Sequence, residues 1–156
     1  MHSSVSVRIA TKTDFGAIAE IGNDIFSKLD NRAQFNWPEQ LLAHELEHVK
    51  TLILEYEGEL VSFLCYRDLP DIYEISVLAT RPSAQKKYFQ TTLIQNLQRL
   101  AARQRRAILL EVHRGNSKAI ALYQKMSFIT LHTRKQYYAD KADALIMKWN
   151  DDKAGC

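Results

Sequence analysis

The spacing of apolar residues along this chain switches repeatedly between the helical period and short strand-like runs. Residues 6–10 read as a first strand. Thr11 with Asp14 three residues on has the form of a capping box, and Phe15, Ile18, Gly22, Ile25 and Phe26 follow at helical spacing. Pro38 fits the first turn of a second helix with Leu41, Leu42, Leu46 and Val49 on its apolar face, after a polar connection over 31–36. Residues 51–56 and 59–66 are apolar runs on either side of Glu57-Gly58, which predicts a hairpin, and 72–80 is a further strand. Residues 88–103 carry Phe89, Leu93, Leu97 and Leu100 on one face and are predicted helical. The apolar run 107–112 suits a buried central strand, and Asn116 or Ser117 can cap a helix that runs to Met126. Residues 128–133 and 144–149 complete the chain as strands. The order β-α-α-β-β-β-α-β-α-β-β predicts a mixed α/β sheet with helices on both faces.

Composition narrows the class only a little further. A chain of 156 residues is expected to form one domain that buries roughly 70% of its unfolded surface. Its 46% apolar and 25% charged content excludes disordered and collagen-like chains. The net charge of +3 is too small to imply nucleic acid and suits an anionic small molecule equally well. Cys65 and Cys156 give neither a metal spacing nor a disulfide framework. No signal-peptide pattern and no membrane-length apolar run is present, so a soluble cytoplasmic protein with no membrane partner is expected.

Several constellations carry candidate chemistry. His44-Glu45-Leu46-Glu47-His48 matches the zinc-protease pattern literally, but it has no evident third ligand and is expected to be a solvated helix face; no metal is expected. Arg99, Arg103, Arg105 and Arg106 gather where a helix is predicted to end, which the helix dipole alone explains. Without interleaved aromatic residues they do not predict nucleic-acid binding. Residues 81–93 form a polar strand-to-helix loop containing Lys86 and Lys87: either an anion site on the helix N-terminus or an exposed basic loop. Glu111 ends an apolar run, where a carboxylate is costly unless water or a partner reaches it, so a functional role is as well supported as a structural one. Tyr123, on the next helix, is either a core tyrosine or a phenol able to donate a proton at the same cleft.

Taken together, Leu110-Glu111-Val112, Asn116, Ala119-Ile120-Ala121-Leu122-Tyr123 and Phe128 resemble the GNAT superfamily of acetyl-coenzyme A dependent N-acetyltransferases. Within it, the chain is similar to the RimI-like group, the bacterial ribosomal-protein alanine acetyltransferases. Arg134-Lys135-Gln136-Tyr137-Tyr138-Ala139-Asp140 matches an R-x-x-Y-Y segment of enzymes that modify protein N-termini, and Trp37-Pro38-Glu39-Gln40 resembles the start of the family's second helix.

The resemblance implies a mostly antiparallel sheet of about seven strands with helices on both faces. It makes Glu111 the general base and Tyr123 the general acid. Asn116 would hold the pantetheine arm, and the strand end at Leu78, Ala79 and Thr80 would pair with it through its backbone. Gln85, Lys86, Lys87, Tyr88, Phe89, Gln90 and Thr91 form the implied pyrophosphate loop; Tyr137 and Tyr138 border the peptide entrance. The implied partners are acetyl-CoA as cosubstrate and a protein or peptide N-terminus as acceptor, with the enzyme a monomer or homodimer. A protein α-amine with a pKa of about 7.7–8.0 is largely protonated at neutral pH, so a base must remove a proton before attack on the thioester. Two departures stand out. The family's Q/R-x-x-G-x-G/A loop here has Tyr88 and Gln90 at its glycine positions, and Ser127 replaces the usual glycine before Phe128, at an expected cost of about 1 kcal/mol. The filled loop keeps one alternative open, a catalytically impaired binding module of the same fold; a further alternative, an acetyltransferase for a small amine, keeps the same site and changes only the acceptor.

Overall fold

A computed structural model of the chain describes residues 4–28, 44, 46–84, 88–138 and 140–151. Seven strands form one sheet: β1 (Val5–Ile9), β2 (Lys50–Tyr56), β3 (Glu59–Asp68), β4 (Ile72–Thr80), β5 (Ala107–His113), β6 (Ile129–Arg134) and β7 (Ala144–Trp149). Their spatial order is β1-β2-β3-β4-β5-β7-β6, and every neighbouring pair is antiparallel except β4 with β5. Among the described residues, the helices seen from end to end are α1 (Phe15–Lys28), α2 (Phe89–Arg103) and α3 (Ser117–Lys125).

Local chemistry explains why these elements begin and end where they do. The predicted capping box is present: the Thr11 N–H donates to Asp14 Oδ2 at 2.8 Å, and Arg8 of β1 grips the same carboxylate through both terminal nitrogens at 2.9 Å. In the hairpin, Glu57 (φ 53°) and Gly58 (φ 82°) are both left-handed, the geometry of a two-residue turn whose twist matches that of the flanking strands. Of the predicted second helix, His44 and 46–48 are helical; Pro38, Leu41, Leu42 and the connection over 31–36 lie outside the described residues. Arg106 pairs with Asp68 and lies over the Tyr73 ring at 4.9 Å, so this member of the arginine cluster ties the end of β3 to the start of β5.

Two apolar layers cover the sheet. On one face, Ile18 and Ile21 of α1 and Leu46 pack on Ile53, Phe63, Cys65, Val77 and Ala79. On the other, Leu93, Ile94, Leu97 and Ala101 of α2 and Tyr123 of α3 pack on Leu54, Leu64, Ile108, Leu110, Val112 and Met147.

The centre of the sheet is irregular where it matters. Parallel pairing of β4 with β5 runs only from Ile72↔Ala107 to Ile75↔Leu110. Immediately beyond, the β3–β4 register slips: Tyr66 faces Ile75 while Cys65 faces Val77, which leaves Ser76 as the extra residue of a bulge. A bulge reverses which face each later side chain takes. Tyr73 and Ile75 accordingly pack under α2, whereas Val77 and Ala79 pack under α1. Past this point β4 and β5 are no longer paired, and a gap opens in the middle of the sheet.

Candidate active site

That gap is the floor of a cleft of about 830 Å³, bounded by the end of β4, the end of β5, the N-terminal turn of α2 and one side of α3. Leu78 and Thr80, turned toward it by the bulge, line one wall, and Glu111, Val112 and His113 line the other. Strand alternation puts Ile108, Leu110 and Val112 on the α2 face and Glu111 and His113 on the opposite face. Because the cleft passes through the sheet, Glu111 from one face and Tyr123 from the other both border it.

Glu111 is not left alone there. The Tyr138 hydroxyl donates to its Oε1 at 3.4 Å, and Arg134 Nη1 stands 3.6 Å from its Oε2. Burial, and then the neighbouring Glu111 carboxylate, push the Tyr138 phenol well above its ordinary range, so Tyr138 remains a donor. Tyr137 is exposed and outside the cleft wall; its ring meets Tyr138 edge-on at 5.3 Å, with Arg134 over its face at 5.4 Å.

Tyr123 is held by the end of its helix. The Phe128 N–H donates to the Tyr123 carbonyl at 2.9 Å and the Ser127 N–H to that of Gln124 at 3.0 Å, with Ser127 left-handed at φ 72°. These are the paired bonds of a Schellman motif, and the Tyr123 and Phe128 rings, 5.7 Å apart, supply its apolar contact. Only 8% of Tyr123 is exposed, and burial pushes its phenol up to about 12. It is a proton donor at any ordinary pH. At the other end of α3, Asn116 Oδ1 accepts from the Ala119 N–H at 3.2 Å, which leaves the Asn116 amide NH2 as a donor beside the cleft.

The anion end is built from Tyr88, Phe89, Gln90 and Thr91, all of which line the cleft at the start of α2. A helix of this length presents unpaired first-turn N–H groups and the positive end of its dipole. Tyr88 has φ 54°, the left-handed conformation that a glycine would take without strain. Its side chain is 74% exposed, with Lys125 Nζ 5.8 Å from the ring centroid. At this filled glycine position the backbone keeps the glycine-type turn, and the aromatic ring stands at the rim. Gln85, Lys86 and Lys87 lie outside the described residues. Ala79 turns its side chain away, into the layer under α1, and its carbonyl accepts from Ser62 Oγ at 2.8 Å, so any contact it makes with a ligand is through its backbone.

One residue of the wall, His113, and its partner Asp140 were not assigned a role in the sequence reading. His113, only 7% exposed, accepts the Gly115 N–H at Nδ1 (2.8 Å) and meets Asp140 Oδ2 through Nε2 (2.8 Å). The signal for it was the Glu111-x-His113 spacing, which sets both side chains on one face of a strand; nothing in the sequence marked Asp140 as its partner. His44 and His48 do stand together, rings 4.5 Å apart, and no group of three or more potential metal ligands is found among the described residues. No described helix is long and apolar enough to cross a membrane.

The cleft thus passes through a central sheet opened between two parallel strands, with the N-terminus of α2, Glu111 and Tyr123 on its walls. The Acetyltransferase (GNAT) family matches residues 16–128, and the chain belongs to this family of acetyltransferases. Its relatives make the setting more particular. A Bacillus subtilis (strain 168) protein named "Putative ribosomal protein bS18-alanine N-acetyltransferase" is 24% identical over 153 residues, covering 96% of this chain and 97% of its own. The crystal structure of the Escherichia coli ribosomal-protein-S18-alanine N-acetyltransferase superposes with a TM-score of 0.79 at 23% identity, covering 94% of each chain. A Salmonella typhimurium protein solved with its cofactor acetyl-CoA has a TM-score of 0.74 at 20% identity, covering 95% of each chain.

Proposed function

We propose that this enzyme transfers an acetyl group from acetyl-CoA to the α-amine of a protein or peptide N-terminus. The observation that carries the proposal is that Glu111, Tyr123 and Tyr138 border one cleft with the opened edge of β4 and the N-terminus of α2. The residues present fit acetyl-CoA. The unpaired β4 edge beyond Ile75 suits the amide groups of pantetheine, the Asn116 amide adds a donor, and the first turn of α2 suits a pyrophosphate. When bound, acetyl-CoA supplies the thioester carbonyl that the amine attacks and a sulfur leaving group.

The chain's own residues do the rest. Glu111 takes a proton from the acceptor ammonium, directly or through water, and frees the lone pair. Tyr138 and Arg134 hold the Glu111 carboxylate in place at the acceptor side. Tyr123, protonated throughout the working pH range, donates to the departing sulfur as the C–S bond breaks; the nitrogen gives up its second proton to solvent as the amide forms, and the phenol is reprotonated from solvent. No side chain forms a covalent intermediate; holding amine and thioester together supplies much of the acceleration.

Two relatives carry names that specify alanine of a ribosomal protein, so a peptide with a free N-terminal alanine is the first acceptor to test. The enzyme should acetylate it at the α-amine, read by mass spectrometry, and release free thiol in step. Turnover of small amines such as spermidine with none of the peptide would move the acceptor to the small-amine class. Saturable acetyl-CoA binding with no transfer to either would favour the binding module.

A further inference from the structure

The reaction just proposed makes no use of His113, although it is a buried, titratable side chain in the wall of the cleft. Its surroundings are fully engaged. The Gly115 N–H donates to Nδ1, so that nitrogen carries no hydrogen, and Nε2–H donates to Asp140 Oδ2 at 2.8 Å. Gly115 permits this approach: a Cβ there would stand 3.0 Å from both Nδ1 and Cε1 of the ring. Asp140 spends its other oxygen on the Ala142 N–H at 2.9 Å, which shapes the β6–β7 loop around it. The loop closes through Lys141 N–H to the Tyr138 carbonyl at 2.8 Å. Tyr138 lies against the His113 ring, centroids 4.9 Å apart, and reaches Glu111 with its hydroxyl.

We propose that His113 is a positioning residue for acceptor binding: through Asp140 it tethers the β6–β7 loop to β5 and seats Tyr138 on Glu111. This inference rests on the acceptor site being the one described above. The physical reason for a tether is visible in the fold. Asp143 anchors the base of the loop through Gln136 N–H, Lys135 and Arg114. Asp143 thus ties the base of the loop to Arg114, just past the end of β5, and the His113–Asp140 bond ties Asp140 to β5 two residues from Glu111. A shift of an ångström in Tyr138 alters the slot in which the acceptor amine must meet Glu111, and misplacements of that size are costly in rate. α2 and the end of β4 carry neither partner of the tether, and Asn116 meets His113 only through the His113 backbone carbonyl at 2.9 Å, which side-chain substitutions at His113 retain.

Two substitutions divide the two bonds of the ring. His113→Asn retains an oxygen to accept the Gly115 N–H and loses the donor to Asp140; His113→Gln retains a donor near the Nε2 position. Hydrogen exchange of the amides of Tyr138, Lys141 and Ala142 reads the tether without any acceptor. Steady-state kinetics with an N-terminal alanine peptide read its consequence. His113→Asn is expected to speed exchange in the loop and to raise the acceptor KM about tenfold, with the acetyl-CoA Kd unchanged by calorimetry. His113→Gln should return both toward the wild type. Asp140→Ala, at an exposed loop position that leaves the core intact, should reproduce His113→Asn, and the double variant should be no worse than either single. Unchanged loop exchange in both His113→Asn and Asp140→Ala overturns the proposal. So does an acetyl-CoA Kd that rises in parallel with the acceptor KM, or a double variant whose effects add. If the wild type acetylates no peptide amine, the functional reading fails, and the exchange measurement alone decides whether the tether exists.

Discussion

At the scale of single residues, two oxygen acids with contrasting surroundings border the cleft. Glu111 faces a donor hydroxyl and a guanidinium, while Tyr123 sits among apolar side chains that keep its phenol protonated. Glu111→Gln should lower kcat by roughly 10²–10⁴ while acetyl-CoA affinity and melting temperature stay at wild-type values. A kcat at the wild-type level would place the base elsewhere. Tyr123 loses its proton only as pH rises through about 12. The pH–rate profile should therefore have no descending limb from this group below about pH 11, and Tyr123→Phe should lower kcat without moving the ascending limb. A descending limb near neutral pH that vanishes in Tyr123→Phe would contradict the burial argument. Glu111 and Tyr123 were legible in the sequence because a carboxylate at the end of an apolar run and a tyrosine one turn beyond Ile120 are both local patterns. His113 was not, since a histidine at the end of a strand acquires meaning only from the Asp140 that a distant loop brings to it.

At the scale of elements, caps set both the boundaries and the aim of side chains. Ser127 occupies the left-handed position of the motif that ends α3 and fixes Tyr123. Ser127→Gly should stabilise the protein by about 1 kcal/mol, a rise of roughly 2–4 °C in Tm, with the Tyr123 carbonyl still bonded to Phe128. A fall in Tm would mean that the serine is not strained. At the other cap, hydrogen bonds from Arg8, then the Thr11 N–H, hold the Asp14 carboxyl down at about 2 against an ordinary value of 3.8. A depressed carboxyl contributes stability above its unfolded pKa and loses it as pH falls through the folded one. Asp14→Asn should thus cost about 1 kcal/mol at neutral pH, allowing for solvent screening, and the difference from wild type should shrink between pH 4 and 2. A difference independent of pH would remove the charge as its cause. The strand and helix limits themselves fell within one or two residues of those read from periodicity, because the core-facing alternation of β2–β4 and the stripe of α2 are strong. The bulge at Ser76 was not legible: Ser76 reads as an ordinary polar position until β3 is laid beside β4.

At the scale of the whole molecule, the cleft exists because β4 and β5 pair at one end and part at the other, with helices pinned on both faces of the divide. A ligand that fills the gap binds the folded state alone. Acetyl-CoA at a hundred times its Kd should stabilise the fold by about 2.7 kcal/mol, a rise of roughly 5–10 °C in Tm. No shift at millimolar acetyl-CoA would mean that the turn at Tyr88, though glycine-like in backbone, does not admit the cofactor. By itself the sequence determined the elements, their order, the family, and the carboxylate and phenol that border the cleft. Each of these is written in spacings of a few residues, where periodicity and capping act. Only the tertiary structure decided that Tyr88 adopts a left-handed turn with its ring at the rim, that Ser76 turns Leu78 and Thr80 into the cleft, and that Tyr138, His113 and Asp140 form one chain of contacts behind Glu111. Those facts depend on register between strands and on loops meeting across more than 20 residues of sequence, and no local pattern encodes such a meeting.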